Sequence, residues 1–155
     1  MFYVKLIMIK NKVLGNDTKI PNSPLGYKFD KIKNNNFKLN YNIRITVPEF
    51  TSICPVTSQP DFGLFIIDYV PKNYLVESKS FKLFIQSFRN FGIFHEDASL
   101  LIGKNLKKDI KPKWIRVAGY FAPRGGIPID VFWQSSKCPS NIFIPDLGQN
   151  INMYN

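Results

Sequence analysis

A chain of 155 residues with 45% hydrophobic and 15% aromatic content is long enough and apolar enough to bury a core, which excludes a disordered chain. Two cysteines do not make a disulfide framework, and a single histidine excludes a histidine-rich metal cluster. The formal charge of +10 is spread among lysines, asparagines and isoleucines without an unbroken basic run, so a solvated surface is expected rather than a nucleic-acid site.

Residues 1 to 9 are apolar but carry Lys5, and no small-residue cleavage site follows, so no signal peptide is read. No apolar run approaches the roughly 20 residues that span a bilayer. A cytoplasmic protein with reduced thiols and no membrane partner is therefore expected. Residues 10 to 37 contain Gly15, Pro21, Pro24, Gly26 and Asn34-Asn35-Asn36, and read as an irregular arm. From Leu39 to Val47 apolar and polar residues alternate, the pattern of a half-buried strand. The stretch Phe50 to Phe62 (FTSICPVTSQPDF) follows, a loop stiffened by two prolines that presents Cys54 and, seven residues on, Asp61. Phe62 to Val70 is a second strand, apolar enough to be covered on both faces.

The period then changes. Phe81, Phe84, Ile85, Phe88 and Phe91 recur at helical spacing, with Lys82, Gln86 and Arg89 opposite, predicting an amphipathic helix that ends near Gly92. A second helix is expected from about His95 to Lys108. Ile115 to Phe121 and Ile127 to Val131 alternate as two further strands around a turn at Arg124-Gly125-Gly126. Residues 134 to 155 read as a polar tail. The order strand, strand, helix, helix, strand, strand predicts an α+β fold, a four-stranded antiparallel sheet with both helices on one face. We expect a single domain over 1–155, made of an arm at 1–37, a core at 38–133 and the tail at 134–155. The two open sheet edges predict a homo-oligomer.

Four features at element ends could carry chemistry. Cys54 is a candidate nucleophile that would need nearby donors or a base, or else core filler. Asp61 could hold or deliver protons, or be a surface carboxylate at a strand start. His95 and Glu96 stand at a helix start, where capping and dipole complementarity alone would account for them. Glu77 and Ser78 could simply cap a helix. Lys79 and Lys82 suit either a solvated helix surface or an anionic phosphate near the helix start. Arg124-Gly125-Gly126 could be no more than a hairpin turn.

Taken together, Phe50 to Phe62, E-S-K-S-F-K at 77 to 82, F-H-E at 94 to 96 and P-R-G-G-I at 123 to 127 resemble the NADPH-dependent 7-cyano-7-deazaguanine reductases, the nitrile reductases of queuosine biosynthesis. The resemblance covers about residues 14 to 132, at the length of the short single-module type. It implies the tunnelling fold, in which small sheets with paired helices assemble into subunit-built barrels. It implies reduction of a nitrile on a deazapurine substrate to an aminomethyl group with two NADPH, the site lying at a subunit interface. Cys54 matches the nucleophile that forms a covalent thioimide, Asp61 the general acid, and His95 a group that assists proton transfer. Val76, Glu77, Ser78, His95 and Glu96 match substrate-contacting positions, and Ser78, Lys79, Arg124 and Gly125 match positions that hold NADPH. No metal is implied. Ser58 departs from the family's usual glycine, Gly63 from a frequent alanine and Phe81 from leucine; none removes a functional group.

Two other readings compete. A zinc hydrolase related to GTP cyclohydrolase, which shares the fold, would use Cys54, His95 and Cys138 as ligands, but these lack recognisable ligand spacing. A basic RNA-binding module would need an aromatic-and-basic motif that the chain lacks.

Overall fold

The computed structural model describes Asp17 and residues 19–147; the remainder of the expected arm and the end of the expected tail lie outside the described residues. In chain order the elements are β1 (Lys31–Lys33), β2 (Ile43–Ile53), β3 (Pro60–Val70), β4 (Tyr74–Val76), α1 (Ser78–Gln86), α2 (His95–Ile110), β5 (Trp114–Arg124) and β6 (Ile127–Gln134). The large sheet is antiparallel throughout, with order β2-β3-β5-β6. Its helix-facing residues, among them Phe65, Ile67, Tyr69, Ile115, Val117 and Phe121, join α1 and α2 side chains in one core. The predicted α+β sheet with two helices on one face is what the chain builds.

Three details differ from the sequence reading. A short antiparallel pair, β1 with β4, lies within and beyond the expected irregular arm; three-residue strands carry no readable alternation. The strand expected over residues 39 to 47 is β2, which starts at Ile43, leaving Leu39 exposed, and extends to Ile53, so half of the expected Cys54 loop is strand and the turn proper is residues 54 to 59. The first helix starts at Ser78 and stops at Gln86, before Phe88 and Phe91. Beyond it the chain tightens into i→i+3 turns, Phe88 N–H to Ile85 and Arg89 N–H to Gln86 at 3.2 Å each, which keep Phe88 fully buried without a helix.

The arm is fastened at its near end. Tyr27 donates to the Ser80 carbonyl at 2.8 Å, and the Asp30 and Phe29 amides donate to Ser80 Oγ at 3.0 Å and to Asp109 Oδ2 at 2.9 Å. Helix α2 approaches β5 closely because position 119 is glycine: a Cβ there would stand 2.6 Å from the Phe65 ring and 2.8 Å from Ser99 Oγ.

The opposite face of the sheet holds Asp68, which has no solvent exposure. A buried carboxylate costs several kcal/mol unless paired, and here three side chains pair it. Arg44 donates to both oxygens at 2.9 Å, Arg116 to Oδ2 at 2.9 Å and Asn42 to Oδ1 at 2.8 Å. Burial pushes the Asp68 carboxyl up, but these donors outweigh it and hold it below the usual carboxylate range. The same guanidiniums catch the tail: Arg44 donates to the carbonyls of Pro145 at 2.6 Å and Asp146 at 3.1 Å, and Arg116 also donates to Pro145. The expected polar tail is thus tied to the sheet at Pro145 and Asp146. Asp68→Asn should destabilise the fold by about 3 kcal/mol, since it leaves two arginines facing a neutral group. The difference should be full at neutral pH and shrink in acid as the parent's Asp68 protonates. Denaturant unfolding against pH measures both; an equally stable variant would contradict the account.

Candidate active site

The turn at 54–59 is fixed by its own backbone. The Cys54 amide donates to the Gln59 carbonyl at 2.9 Å and the Ser58 amide to the Cys54 carbonyl at 3.0 Å. Ser58 has φ 57°, a left-handed backbone that favours glycine, which accounts physically for the glycine usual there in the family it resembles. Ile53 then ties the turn to the segment before α2: its amide donates to Phe91 at 3.1 Å and its carbonyl accepts from Ile93 at 2.9 Å. That tie carries the first turn of α2, with His95 and Glu96, to the thiol.

Cys54, Asp61, His95, Glu96 and Arg124 line one cavity of about 300 Å³, walled by Pro55, Ile93, Phe94, Ile127 and Ile129. The Cys54 thiol is held below its ordinary range. The Thr57 hydroxyl is the largest cause, joined by the Thr57 and Val56 amides and by the charge of Arg124, against the opposing effect of burial. A thiolate cradled by donors is a stronger nucleophile at neutral pH than a free thiol. Thr57 escaped the sequence reading; its signal is a hydroxyl three residues after the cysteine in a turn that Pro55 bends back.

Asp61 is the second residue of β3 and is 3% exposed. Arg124, at the end of β5, grips it with two bonds, Nε to Oδ1 at 2.6 Å and Nη2 to Oδ2 at 2.8 Å. Burial pushes this carboxyl up; Arg124 first and His95 second pull it down, and the net position is below the usual range. His95 lies flat on Phe121, ring centroids 3.9 Å apart and planes 7° from parallel. Its Nε2 is 3.1 Å from Asp61 Oδ1, yet the pair is not aligned as a hydrogen bond and Nε2 has no other partner. The contact is electrostatic, with the ring positioned by stacking. Gly125 and Gly126, at φ 59° and 80°, make the two-residue turn that points Arg124 back over the cavity.

The other expected site residues are elsewhere in the chain. Val76 and Ser78 line a separate, larger and mostly apolar groove of about 610 Å³ between β2 and α1. Glu77 is 1% exposed and spends both carboxylate oxygens as the cap of α1, accepting from the Lys79 amide at 2.9 Å and the Ser80 amide at 2.7 Å. The structural reading of Glu77 as a cap is therefore realised. Those two amides are committed to Glu77, so an anion near this helix start would meet side chains.

Thr57→Val should raise the pH midpoint of Cys54 alkylation by iodoacetamide, measured in a Cys138→Ala background, because the main donor to the thiolate is gone. An unchanged midpoint would remove Thr57 from the site.

Among the described residues no group of three or more His, Cys, Asp or Glu side chains is placed to hold a metal ion, and nothing supports the zinc-hydrolase alternative. No helix among them is long and apolar enough to cross a membrane. A model of the family described as QueF-like protein matches residues 60–140. The NADPH-dependent 7-cyano-7-deazaguanine reductase of Parvibaculum lavamentivorans is 56% identical over 88% of this chain and 89% of its own. Those of a Ruegeria species and of Agrobacterium fabrum are each 53% identical, over 88% and 87% of this chain and 89% and 88% of their own. A crystal structure of the archaeosine synthase QueF-Like in the apo form superposes with TM-score 0.58 at 21% identity, covering 63% of this chain and 96% of that one, which shows the tunnelling fold. The chain belongs to the family of NADPH-dependent 7-cyano-7-deazaguanine reductases.

Proposed function

We propose that this chain reduces 7-cyano-7-deazaguanine to 7-aminomethyl-7-deazaguanine with NADPH, a step of queuosine biosynthesis for tRNA. The observation that carries the reading is the gathering of Cys54, Asp61, His95, Glu96 and Arg124 around one cavity, in a chain whose relatives are named for this reaction.

Cys54 is the nucleophile. Its sulfur bonds to the nitrile carbon, one π bond of the C≡N group breaks, and the nitrogen takes a proton, giving a thioimide. The proton count explains how an aspartate held ionised by Arg124 can still act as the acid: Asp61 accepts the proton that the thiol gives up and hands it to the nitrogen, ending as it began. His95, held on Phe121 at 3.1 Å from Asp61, supports that transfer and borders the substrate. Glu96, exposed on the cavity rim, accepts N–H donors of the deazaguanine edge.

NADPH, when bound, supplies hydride. Ser78, Lys79, Arg124 and Gly125 are the residues proposed to hold it, and their chemistry fits a phosphate-bearing cofactor. Arg124 uses one Nε and one Nη donor on Asp61 and keeps other N–H groups for a phosphate; Ser78 is exposed beside Lys79. Val76 and Ser78 line a groove apart from the thiol cavity, so a ligand touching both sets needs residues of two copies. The outer strands β2 and β6 are the edges through which copies would pair. Light scattering should find an oligomer; a fully active monomer would contradict a shared site.

Turning a nitrile into an aminomethyl group takes two hydrides and two protons. Absorbance at the nicotinamide band should fall by two NADPH per 7-cyano-7-deazaguanine, and absence of oxidation would overturn the reading. Glu96→Gln should weaken nitrile binding about tenfold or more, the worth of a charged hydrogen bond, with NADPH binding retained. An unchanged nitrile dissociation constant would remove Glu96 from recognition.

A further inference from the structure

Ser52 lies two residues before the nucleophile, has no solvent exposure, and its hydroxyl has no hydrogen-bond partner. An orphaned buried hydroxyl is uncommon and costly, and calls for a reason. Its place in the sheet supplies one. Ser52 pairs directly with Asp61 across β2 and β3. Directly opposed residues point to the same face, with Cβ atoms about 4.5–5.5 Å apart. The face is the core side: Phe50, two residues before Ser52, and Phe65, four after Asp61, both join the core.

Asp61 has room for this neighbour. Its Oδ1 meets Arg124 Nε and His95 Nε2, whereas Oδ2 accepts only Arg124 Nη2. A carboxylate oxygen takes two donors, so Oδ2 retains one lone pair. The groups that face Asp61 are Arg124 from β5, His95 from α2 and Cys54 from the turn, with Glu96 on the same cavity. None of these is a neutral donor that stays in place whatever the pH, and the Ser52 hydroxyl is.

We propose that Ser52 is a positioning residue for Asp61, its hydroxyl turning about the Cα–Cβ bond to donate to Oδ2 and hold the carboxylate in line between the Cys54 thiol and the nitrogen it protonates. Its consequence for turnover rests on the role proposed for Asp61; the donor itself does not.

The test is Ser52→Ala, which removes one oxygen and leaves a residue the strand accepts. Carbon-13 NMR of the Asp61 carboxyl, titrated in parent and variant without ligands, should show the midpoint about one unit higher in the variant, the loss of a hydrogen bond to a charged group. A superposable titration overturns the proposal. Thermal unfolding gives a second reading. A depressed carboxyl pKa contributes stability above the unfolded pKa that is lost as pH falls through the folded one. The parent should therefore exceed the variant at neutral pH, and the gap should close in acid. A variant equally or more stable at every pH marks an orphan hydroxyl and overturns the proposal. With 7-cyano-7-deazaguanine, the variant should bind as the parent does but add it to Cys54 about tenfold more slowly, in line with the weakened proton transfer; an unchanged rate overturns the positioning role. If the parent itself adds no nitrile, the reductase reading fails while the titration still decides whether Ser52 holds Asp61.

Discussion

The bidentate grip of Arg124 on Asp61 is the interaction on which the site depends. It joins the first residues of β3 to the last of β5 at the mouth of the cavity. It neutralises a carboxylate that burial would otherwise protonate, and its charge reaches Cys54, where it favours the thiolate. One cation thereby acts on both reacting groups, beside Thr57 at the thiol and His95 at the carboxylate. Phe121, three residues earlier on β5, supplies the surface on which His95 lies. The end of a single strand thus orients the base, the imidazole and the neighbourhood of the nucleophile.

Strand β3 carries a second buried carboxylate with a different use. Asp61 and Asp68 are an odd number of residues apart, so the alternation of a strand sends them to opposite faces. Asp61 faces the helices and the cavity. Asp68 faces away, and its two arginines hold the chain at Pro145 and Asp146. Each carboxylate is fixed by guanidinium, which offers paired donors and stays charged. On one face the pairing prepares a proton carrier; on the other it fastens the end of the chain against the sheet.

Much of the fold could be read from periodicity. The alternation from Ile43 to Val47 and the helical spacing around Phe81 and Phe84 report burial on one face, and the core uses those residues, whereas Leu39, ahead of the strand, is exposed. Phe88 misled the helix boundary because a turn can bury an aromatic ring at the same spacing. The β1–β4 pair joins residues more than forty positions apart through three-residue strands, too short for a pattern. The Asp68 cluster was hidden for the same reason: Arg44 and Arg116 are distant in sequence, and only pairing of β3 with its neighbours brings them to one carboxylate. At the site, the motifs named Cys54, Asp61, His95 and Arg124, and the fold draws these together. Glu77 caps α1, the local role its place before a helix suggested. Thr57 and Ser52 were missed because a hydroxyl beside a proline turn or inside a strand looks like ordinary polar filling until its neighbour is known.

The central claim is that Cys54 attacks a nitrile with Asp61 carrying the proton, before any hydride is needed. Intact mass spectrometry of the protein mixed with 7-cyano-7-deazaguanine and no NADPH tests it most directly. The account predicts one added substrate per chain in the parent and in Cys138→Ala, none in Cys54→Ala, and slow addition in Asp61→Asn. The same adduct on Cys54→Ala would contradict it.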